Sequence, residues 1–184
     1  MPDLTILGPP IRGRTCGHCT ACCTWVPTQL HEGHKPAGTR CPHVRSSGCS
    51  IYARRPNGCA AWSCRWLFDP ATASMRRPDR AGYIIDPMPD SVLIDGSSVF
   101  CFQVWIDPDR RDVHRDPALR AWIELMGERH GAPTIVRWPP QDVALVLIPP
   151  SMSENRRWIE KESHMLSAEA MADKRREVRA GIAP

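Results

Sequence analysis

At 184 residues the chain is long enough for one domain, or for one domain with a small metal-held module. Apolar residues at 42% and charged residues at 24% exclude an intrinsically disordered protein, and 19 prolines predict short elements joined by many loops. The net charge of +4 is concentrated at one end, because residues 1–64 carry seven basic and two acidic side chains.

The beginning of the chain predicts its compartment. The stretch MPDLTILGPPIRGR lacks the basic segment and the long apolar segment of a secretory signal. No apolar run approaches the roughly 20 residues of a membrane helix. We therefore expect a cytoplasmic protein without a membrane span. In that reducing environment, clustered cysteines bind metals more often than they form disulfides.

Residues 1–68 are predicted to form a cysteine-cluster metal-binding module, because eight of the nine cysteines lie there. The spacing C-x2-C lets a tight turn bring two sulfurs to one metal, as in zinc ribbons and iron–sulfur loops. Cys22 and Cys23 are adjacent, and adjacent side chains usually point apart, so we expect them to serve different metals or different edges of one cluster. The predicted metal ligands are Cys16, Cys19, Cys22, Cys23, Cys41, Cys49, Cys59 and Cys64.

The identity and number of the metals follow only in part from this pattern. Eight thiols indicate two four-cysteine sites or one larger shared cluster, and the spacing does not say which cysteines share a metal. Four thiolates that fill every position of a tetrahedral site favour zinc in a closed structural role, with an iron–sulfur cluster as the alternative. Eight thiolates around two divalent ions carry about −4, which accounts for the basic residues nearby.

Several other side chains of this module are expected to surround the metal rather than bind it. His18 and His43 are predicted to donate hydrogen bonds to the ligands, because eight thiolates already complete two tetrahedra. Arg55 is predicted to donate to thiolates or loop carbonyls. Tyr52 and Trp62 are predicted to pack over the cluster and exclude water.

Residues 69–150 are predicted to form a small α+β domain. A helix is predicted over 117–130, where Asp116 and Pro117 are a typical start and Gly131 is a typical stop. Asp95-Gly96 lies between two apolar runs and is typical of a β-hairpin. Cys101, between two phenylalanines, is expected to be a buried free thiol. Strands are predicted at 83–85, 91–94, 99–106, 134–138 and 143–148.

Residues 151–184 are predicted to form a C-terminal helical tail. The segment opens with Ser-x-x-Glu, which is a capping-box pattern, and the helix is expected to continue to about Arg179. Trp158 and Ile159 are among the apolar residues that would dock it. The predicted fold class is therefore α+β, with a loop-rich metal-stapled N-terminal module packed on a small mixed α/β domain with a C-terminal helix.

Two ordered motifs carry a family resemblance. The run CGHCTACC at 16–23 matches the signature C-x2-C-x2-C-C, and CSIYARRPNGC at 49–59 is similar to the element C-x-I-Y-x-x-R-P-x-x-C. With Cys41 and Cys64, these motifs resemble the bacterial CxxCxxCC cysteine-cluster family (YkgJ-type), described as a zinc- or iron-chelating domain, over about residues 14–68. The family usually has an arginine where this chain has Ala60, so no role of that arginine is implied here.

The resemblance implies metal chelation without a settled reaction. Relatives in the flagellin lysine methylase group carry a similar signature and are linked to protein methylation, which implies an iron–sulfur-dependent enzyme acting on proteins as an alternative function. This chain has no P-loop, no G-x-S-x-G and no H-E-x-x-H pattern, so its catalytic residues, if any, are unknown. The sequence thus leaves open whether the protein is an enzyme.

The function predicted from the sequence is a metal-chelating cysteine-cluster protein. It binds zinc or iron through eight cysteines, the metal is mainly structural, and the surface binds a protein partner. The alternatives are the methylase-like iron–sulfur enzyme and a zinc-dependent nucleic-acid binder. Nucleic acid is disfavoured as a partner, because charge balance by the thiolates explains the basic residues.

Overall fold

The computed structural model describes residues 9–140 and 143–164. The first part of the described chain contains only short elements, none longer than five residues before the central sheet begins. Proline and glycine interrupt this part repeatedly, which prevents longer elements. The elements are α1 (Cys22–Trp25), β1 (Thr28–Leu30), β2 (Gly33–Lys35), β3 (Val44–Arg45), β4 (Gly48–Cys49), α2 (Asn57–Ala61) and α3 (Pro78–Ala81), with 3-10 turns at Tyr52–Arg54, Arg65–Leu67 and Pro70–Thr72.

A five-stranded mixed sheet follows, in the order β5-β6-β7-β8-β9. Its second and third strands are parallel and are joined by the helix α4 (Pro117–His130), whereas all other neighbours are antiparallel. The protein is therefore α+β. No helix in the described ranges is long and apolar enough to cross a membrane. The strands are β5 (Tyr83–Ile94), β6 (Ser97–Ile106), β7 (Thr134–Arg137), β8 (Val143–Ile148) and β9 (Ile159–His164).

The predicted helix and hairpin are confirmed. The Asp116 carboxylate accepts hydrogen bonds from the backbone N–H groups of Ala118 and Leu119, and Gly131 ends α4 with a φ of 59°. Between β5 and β6, Asp95 and Gly96 both have positive φ angles, 49° and 78°. Such a turn matches the twist of the two strands it joins.

The predicted strands at 83–85 and 91–94 are parts of one strand, β5. Its register with β6 shifts between Asp86 and Asp90, where three residues of β5 lie opposite one of β6. Pro87 and Pro89 lie in this bulge. Proline lacks an N–H group for the ladder, so the irregularity occurs where regular pairing is impossible.

The predicted helix from Ser151 onward is wrong for the described part of this segment. Pro150–Met152 form a single 3-10 turn, and Ile159–His164 form β9, which pairs with β8 in antiparallel register. Trp158 does dock on the domain, because its ring packs against Gly127 of α4. Residues 165–184 of the predicted helix lie outside the described residues.

The two faces of the sheet contact different layers. Tyr83, Ile85 and Val104 belong to the core that α4 completes with Trp122. Ile84 and Trp105, paired across β5 and β6, belong to a second core with residues of the first part of the chain. Side chains alternate between the faces of a strand, so β5 and β6 bind α4 on one side and the cysteine-rich segment on the other.

Cys101 lies on β6 and is completely buried, as predicted, in a small apolar cluster with Ile135 and Val146. Burial raises the pKa of this thiol to about 12, and the nearby charge of Asp90 adds to the effect. Cys101 is therefore a neutral core residue, distinct from the other eight cysteines.

Candidate metal centre

All eight cysteines predicted as ligands line one cavity of about 270 Å³. The nine cysteines of the chain all lie within the described residues, and each of them is a free thiol. Residues far apart in the sequence, from Cys16 to Cys64, therefore meet at one place.

The first four cysteines are placed by a turn and a helix start. The backbone N–H of Cys19 donates to the Cys16 carbonyl over 2.8 Å, closing a tight turn that Gly17 permits with a φ of 49°. Cys22 and Cys23 are the first two residues of α1. This is the local structure that a C-x2-C spacing favours around a metal.

The later four cysteines come from separate short elements. The backbone N–H of Cys41 donates to the Cys23 carbonyl over 2.8 Å, which joins this loop to α1. Cys49 pairs with Val44 in the two-stranded sheet of β3 and β4. Cys59 lies in α2, and Cys64 directly precedes the 3-10 turn at Arg65–Leu67.

The thiols surround the cavity without converging on one point. In the described ranges, no three His, Cys, Asp or Glu side chains are grouped so that they could hold a metal ion. In a zinc site of four thiolates the sulfurs lie about 3.8 Å apart, because each Zn–S bond is about 2.3 Å long. The donor set fits a metal in its chemistry and in its shared cavity, and binding one would require rotation about Cα–Cβ bonds.

The adjacent pair Cys22 and Cys23 is electrostatically linked. The Cys22 thiol hydrogen-bonds to the Cys23 sulfur, which lowers the pKa of Cys23 to about 7. The same hydrogen bond, followed by burial, raises the pKa of Cys22 well above its usual value. A thiol that donates to its neighbour retains its proton, whereas the accepting sulfur ionises more easily.

Burial opposes ionisation at other thiols of the cavity. Burial, and then the charges of Cys16 and Cys19, raise the pKa of Cys64 to about 12. At Cys59, burial and then the charges of Cys23, Cys41 and Cys49 raise the pKa. A bound cation would reverse these effects, because thiolates are the species that bind metals.

Lys35 places a buried positive charge in the cavity wall. Its side chain is only 4% exposed, and its ammonium donates to the carbonyls of Val26 (2.6 Å), Thr39 (3.0 Å) and Pro36 (3.2 Å). These acceptors are neutral, so the charge acts on the nearby thiols, Cys41 first and then Cys23. Sequence analysis missed Lys35, because one lysine between a histidine and a proline shows no pattern.

Three of the side chains that are predicted to surround the metal lie at the cavity. Tyr52, Arg55 and Trp62 all line it. The Arg55 guanidinium stacks on the Tyr52 ring, 3.9 Å from the centroid, and its Nε is buried without a hydrogen-bond partner in the described chain. Tyr52 is half exposed, so this pair lies where the cavity opens to the surface.

The histidines make other contacts than those predicted. The Nδ1 atom of His18 bonds the Ser47 carbonyl over 2.7 Å, and the Nε2 atom of His43 bonds the Glu32 carboxylate over 3.0 Å. His43 lines the cavity, so it borders the predicted ligands. The first bond joins the turn of Cys16 and Cys19 to the hairpin that carries Cys49, and the second joins the segment after Cys41 to the turn between β1 and β2.

Asp86 connects the cavity wall to the sheet. Its buried carboxylate accepts hydrogen bonds from the indole N–H groups of Trp62 (3.1 Å) and Trp105 (2.8 Å), and from the backbone N–H of Met88 (2.9 Å). Trp62 lines the cavity and Trp105 belongs to the sheet. One carboxylate thus holds a wall of the candidate site against β5 and β6.

Comparison with models of known protein families, with curated proteins and with solved structures finds no match to this chain. The resemblance to the CxxCxxCC cysteine-cluster family therefore stays a prediction, carried by the two motifs and by the eight cysteines themselves.

Proposed function

We propose that this protein is a metal-chelating cysteine-cluster protein that binds zinc through eight cysteines, with the metal in a mainly structural role. The observation that supports it best is that eight free cysteines, from six separate loops and short elements, line one cavity. Cys101 differs from these eight, because it lies in a strand among apolar side chains and, within the described residues, is not part of the cavity lining.

A structural metal has a physical reason here. The elements of the described chain before the central sheet have at most five residues, and isolated helices and hairpins of that size are unstable in water. Zinc bound by cysteines contributes folding free energy directly, as in small metal-stapled domains. The metal would stabilise the layer that covers Ile84 and Trp105 of the sheet.

The second candidate is an iron–sulfur-dependent enzyme acting on proteins. The cavity of about 270 Å³ is roomy, and the thiols in the described chain surround it without converging on one ion. Thiolates of an iron–sulfur cluster bind different irons, so they lie further apart than those of a zinc site. The size of the cavity is compatible with a polynuclear cluster, whereas the compact loops and the closed ligand set favour zinc.

A protein partner is the more suitable macromolecule for this surface. Tyr52 and Arg55 stack at the opening of the cavity, and aromatic residues and arginine are enriched in protein interfaces. Of the basic residues that could contact nucleic acid, Lys35 is buried and Arg14 is bonded to Trp66 and Thr72. Part of the basic excess of residues 1–64 is thus directed into the protein, as expected for charge balance. The proposed location of the protein is the cytoplasm.

Elemental analysis and an absorption spectrum of protein purified without oxygen test the proposal. We expect about two zinc ions per chain and no colour above the protein absorbance, because zinc is redox-silent. A Cys101→Ala variant is the matched control and is expected to retain all of the metal. A broad absorbance at about 400 nm, together with bound iron and sulfide, would reject the zinc proposal in favour of the iron–sulfur enzyme. Protein that binds neither metal, even after reconstitution, would contradict both.

A further inference from the structure

Four of the eight cysteines share one apolar environment. Cys64 is buried in the core that contains Trp25 and Ile84, and Cys16, Cys19 and Cys22 pack against that core. Within the described residues, the other four candidates are not part of it. Packing against Ile84 of β5 therefore brings Cys22 and Cys64 to the same core, although they are far apart in the sequence.

Electrostatic interactions among these four thiols agree with the packing. The ionised forms of Cys16 and Cys19 act on Cys64, and those of Cys19 and Cys64 act on Cys22. The grouping itself rests on the packing of these four cysteines against one apolar core. Backbone N–H groups of Trp66 and Leu67 also point at the Cys64 sulfur, as is suitable for a thiolate ligand.

The remaining four cysteines are connected through backbone contacts and line the same cavity. The loop with Cys41 is hydrogen-bonded to the Cys23 carbonyl over 2.8 Å. The backbone N–H of Val44 donates to the Cys41 carbonyl over 3.1 Å, and Val44 pairs with Cys49 across β3 and β4. Cys59 is the remaining cysteine of the described chain that lines the same cavity. The described cysteine–cysteine interactions that cross between the two groups involve Cys23, which bonds to Cys22 and acts on Cys16.

We propose that the eight cysteines form two separate four-ligand metal sites rather than one shared cluster. This inference rests on the proposed function, because it divides the ligands of that same centre. The first site consists of Cys16, Cys19, Cys22 and Cys64, and the second site consists of Cys23, Cys41, Cys49 and Cys59.

The division explains the adjacent cysteines. Cys22 and Cys23 begin α1, and consecutive residues of a helix point about 100° apart. Cys22 packs against the apolar core of the first site, whereas the Cys23 carbonyl accepts from the Cys41 N–H in the loop of the second site. The helix start joins the two sites, and the hydrogen bond between the Cys22 and Cys23 sulfurs lies at their boundary.

The division also gives the two sites different electrostatic surroundings. Lys35 acts on Cys41, Cys23 and Cys59 of the second site, and on Cys22 of the first. Arg55 and then Arg77 act on Cys16, and Arg77, whose guanidinium is paired with the Asp79 carboxylate at 2.7 Å, also acts on Cys19. Lys35 is therefore the buried cation that acts mainly on the second site, whereas Arg55 acts on thiols of both sites.

Four substitutions combined in two ways test the division, with cadmium as the probe. The within-site variants are Cys16→Ser/Cys64→Ser and Cys49→Ser/Cys59→Ser. The cross-site variants combine the same changes as Cys16→Ser/Cys49→Ser and Cys64→Ser/Cys59→Ser. With a competing chelator present, we expect about two cadmium ions per wild-type chain, about one per within-site variant and almost none per cross-site variant.

Equal losses in both pairings would overturn the division and indicate one shared cluster. The Cys101→Ala control is expected to bind as much cadmium as the wild type. Wild-type protein that binds no cadmium would reject the proposed function itself, so the two failures are distinguishable. Each variant is checked for folding by circular dichroism.

Cadmium-113 NMR of the wild type decides the question even where a variant fails to fold. Two separate sites give two signals of equal intensity, each typical of cadmium bound by four thiolates. Neither signal is split by the other metal, because no sulfur bridges them. Mutual splitting of the signals, or more than two signals, would overturn the division.

Discussion

Replacement of Asp86 by alanine is expected to lower the free energy of unfolding by about 3–5 kcal/mol. The carboxylate is buried and accepts from the indoles of Trp62 and Trp105 and from the Met88 amide. The alanine leaves these three donors without an acceptor, and each unsatisfied buried donor costs about 1–3 kcal/mol. Urea unfolding followed by tryptophan fluorescence measures the loss.

Two comparisons make the Asp86 result specific. Asp86→Asn keeps the size and one carbonyl oxygen, so it is expected to cost less, about 1–2 kcal/mol. Asp109→Ala removes an exposed carboxylate and is expected to change stability by less than about 0.5 kcal/mol. If Asp86→Ala were as stable as Asp109→Ala, the carboxylate would not be the link between the cavity wall and the sheet.

Replacement of Lys35 by methionine is expected to lower the free energy of unfolding by about 3 kcal/mol. The side chain is buried, and its ammonium donates to the carbonyls of Val26, Thr39 and Pro36. Methionine keeps much of the apolar volume but leaves those acceptors without a donor. Hydrogen bonds from a charged group are worth more than neutral ones, so their loss is costly. Thermal and urea unfolding of the metal-loaded protein measure the loss.

The control for this variant is Lys161→Met on β9, where the side chain is exposed. It is expected to change stability by less than about 0.5 kcal/mol. A second readout is cadmium affinity, which is expected to weaken more at the site of Cys23, Cys41, Cys49 and Cys59 than at the other site. An unchanged affinity at both sites would show that the Lys35 charge does not act on the thiolates.

The elements that the sequence predicts well are those whose signals are local. Asp116, Pro117 and Gly131 bound α4 because capping and φ preferences act over a few residues. The turn at Asp95 and Gly96 likewise determines the hairpin. The helix predicted after Ser151 fails because the described segment pairs with β8, and such pairing between strands can override a capping pattern.

The candidate site likewise has features that the sequence predicts and features that it does not predict. Spacing predicts the eight cysteines that line the cavity, because metal ligands need thiols that short turns bring together. It does not reveal Lys35, because a lysine that folds back on nearby backbone carbonyls follows no sequence pattern. It does not reveal Asp86, because the two indoles that bond it lie 24 and 19 residues away and only the folded chain brings them near. It also does not assign ligands to sites, since Cys64 meets the first cysteines only by packing on the sheet.

Cysteine alkylation read by mass spectrometry tests the central claim most directly, that eight cysteines bind metal together. In the native protein we expect all nine cysteines to resist alkylation. After dialysis against a chelator, with metal loss confirmed by elemental analysis, the eight cysteines that line the cavity become reactive, whereas Cys101 stays protected until the chain unfolds. Reactivity that is the same before and after metal removal, or that changes at Cys101 alone, would contradict a metal centre built from these eight thiols.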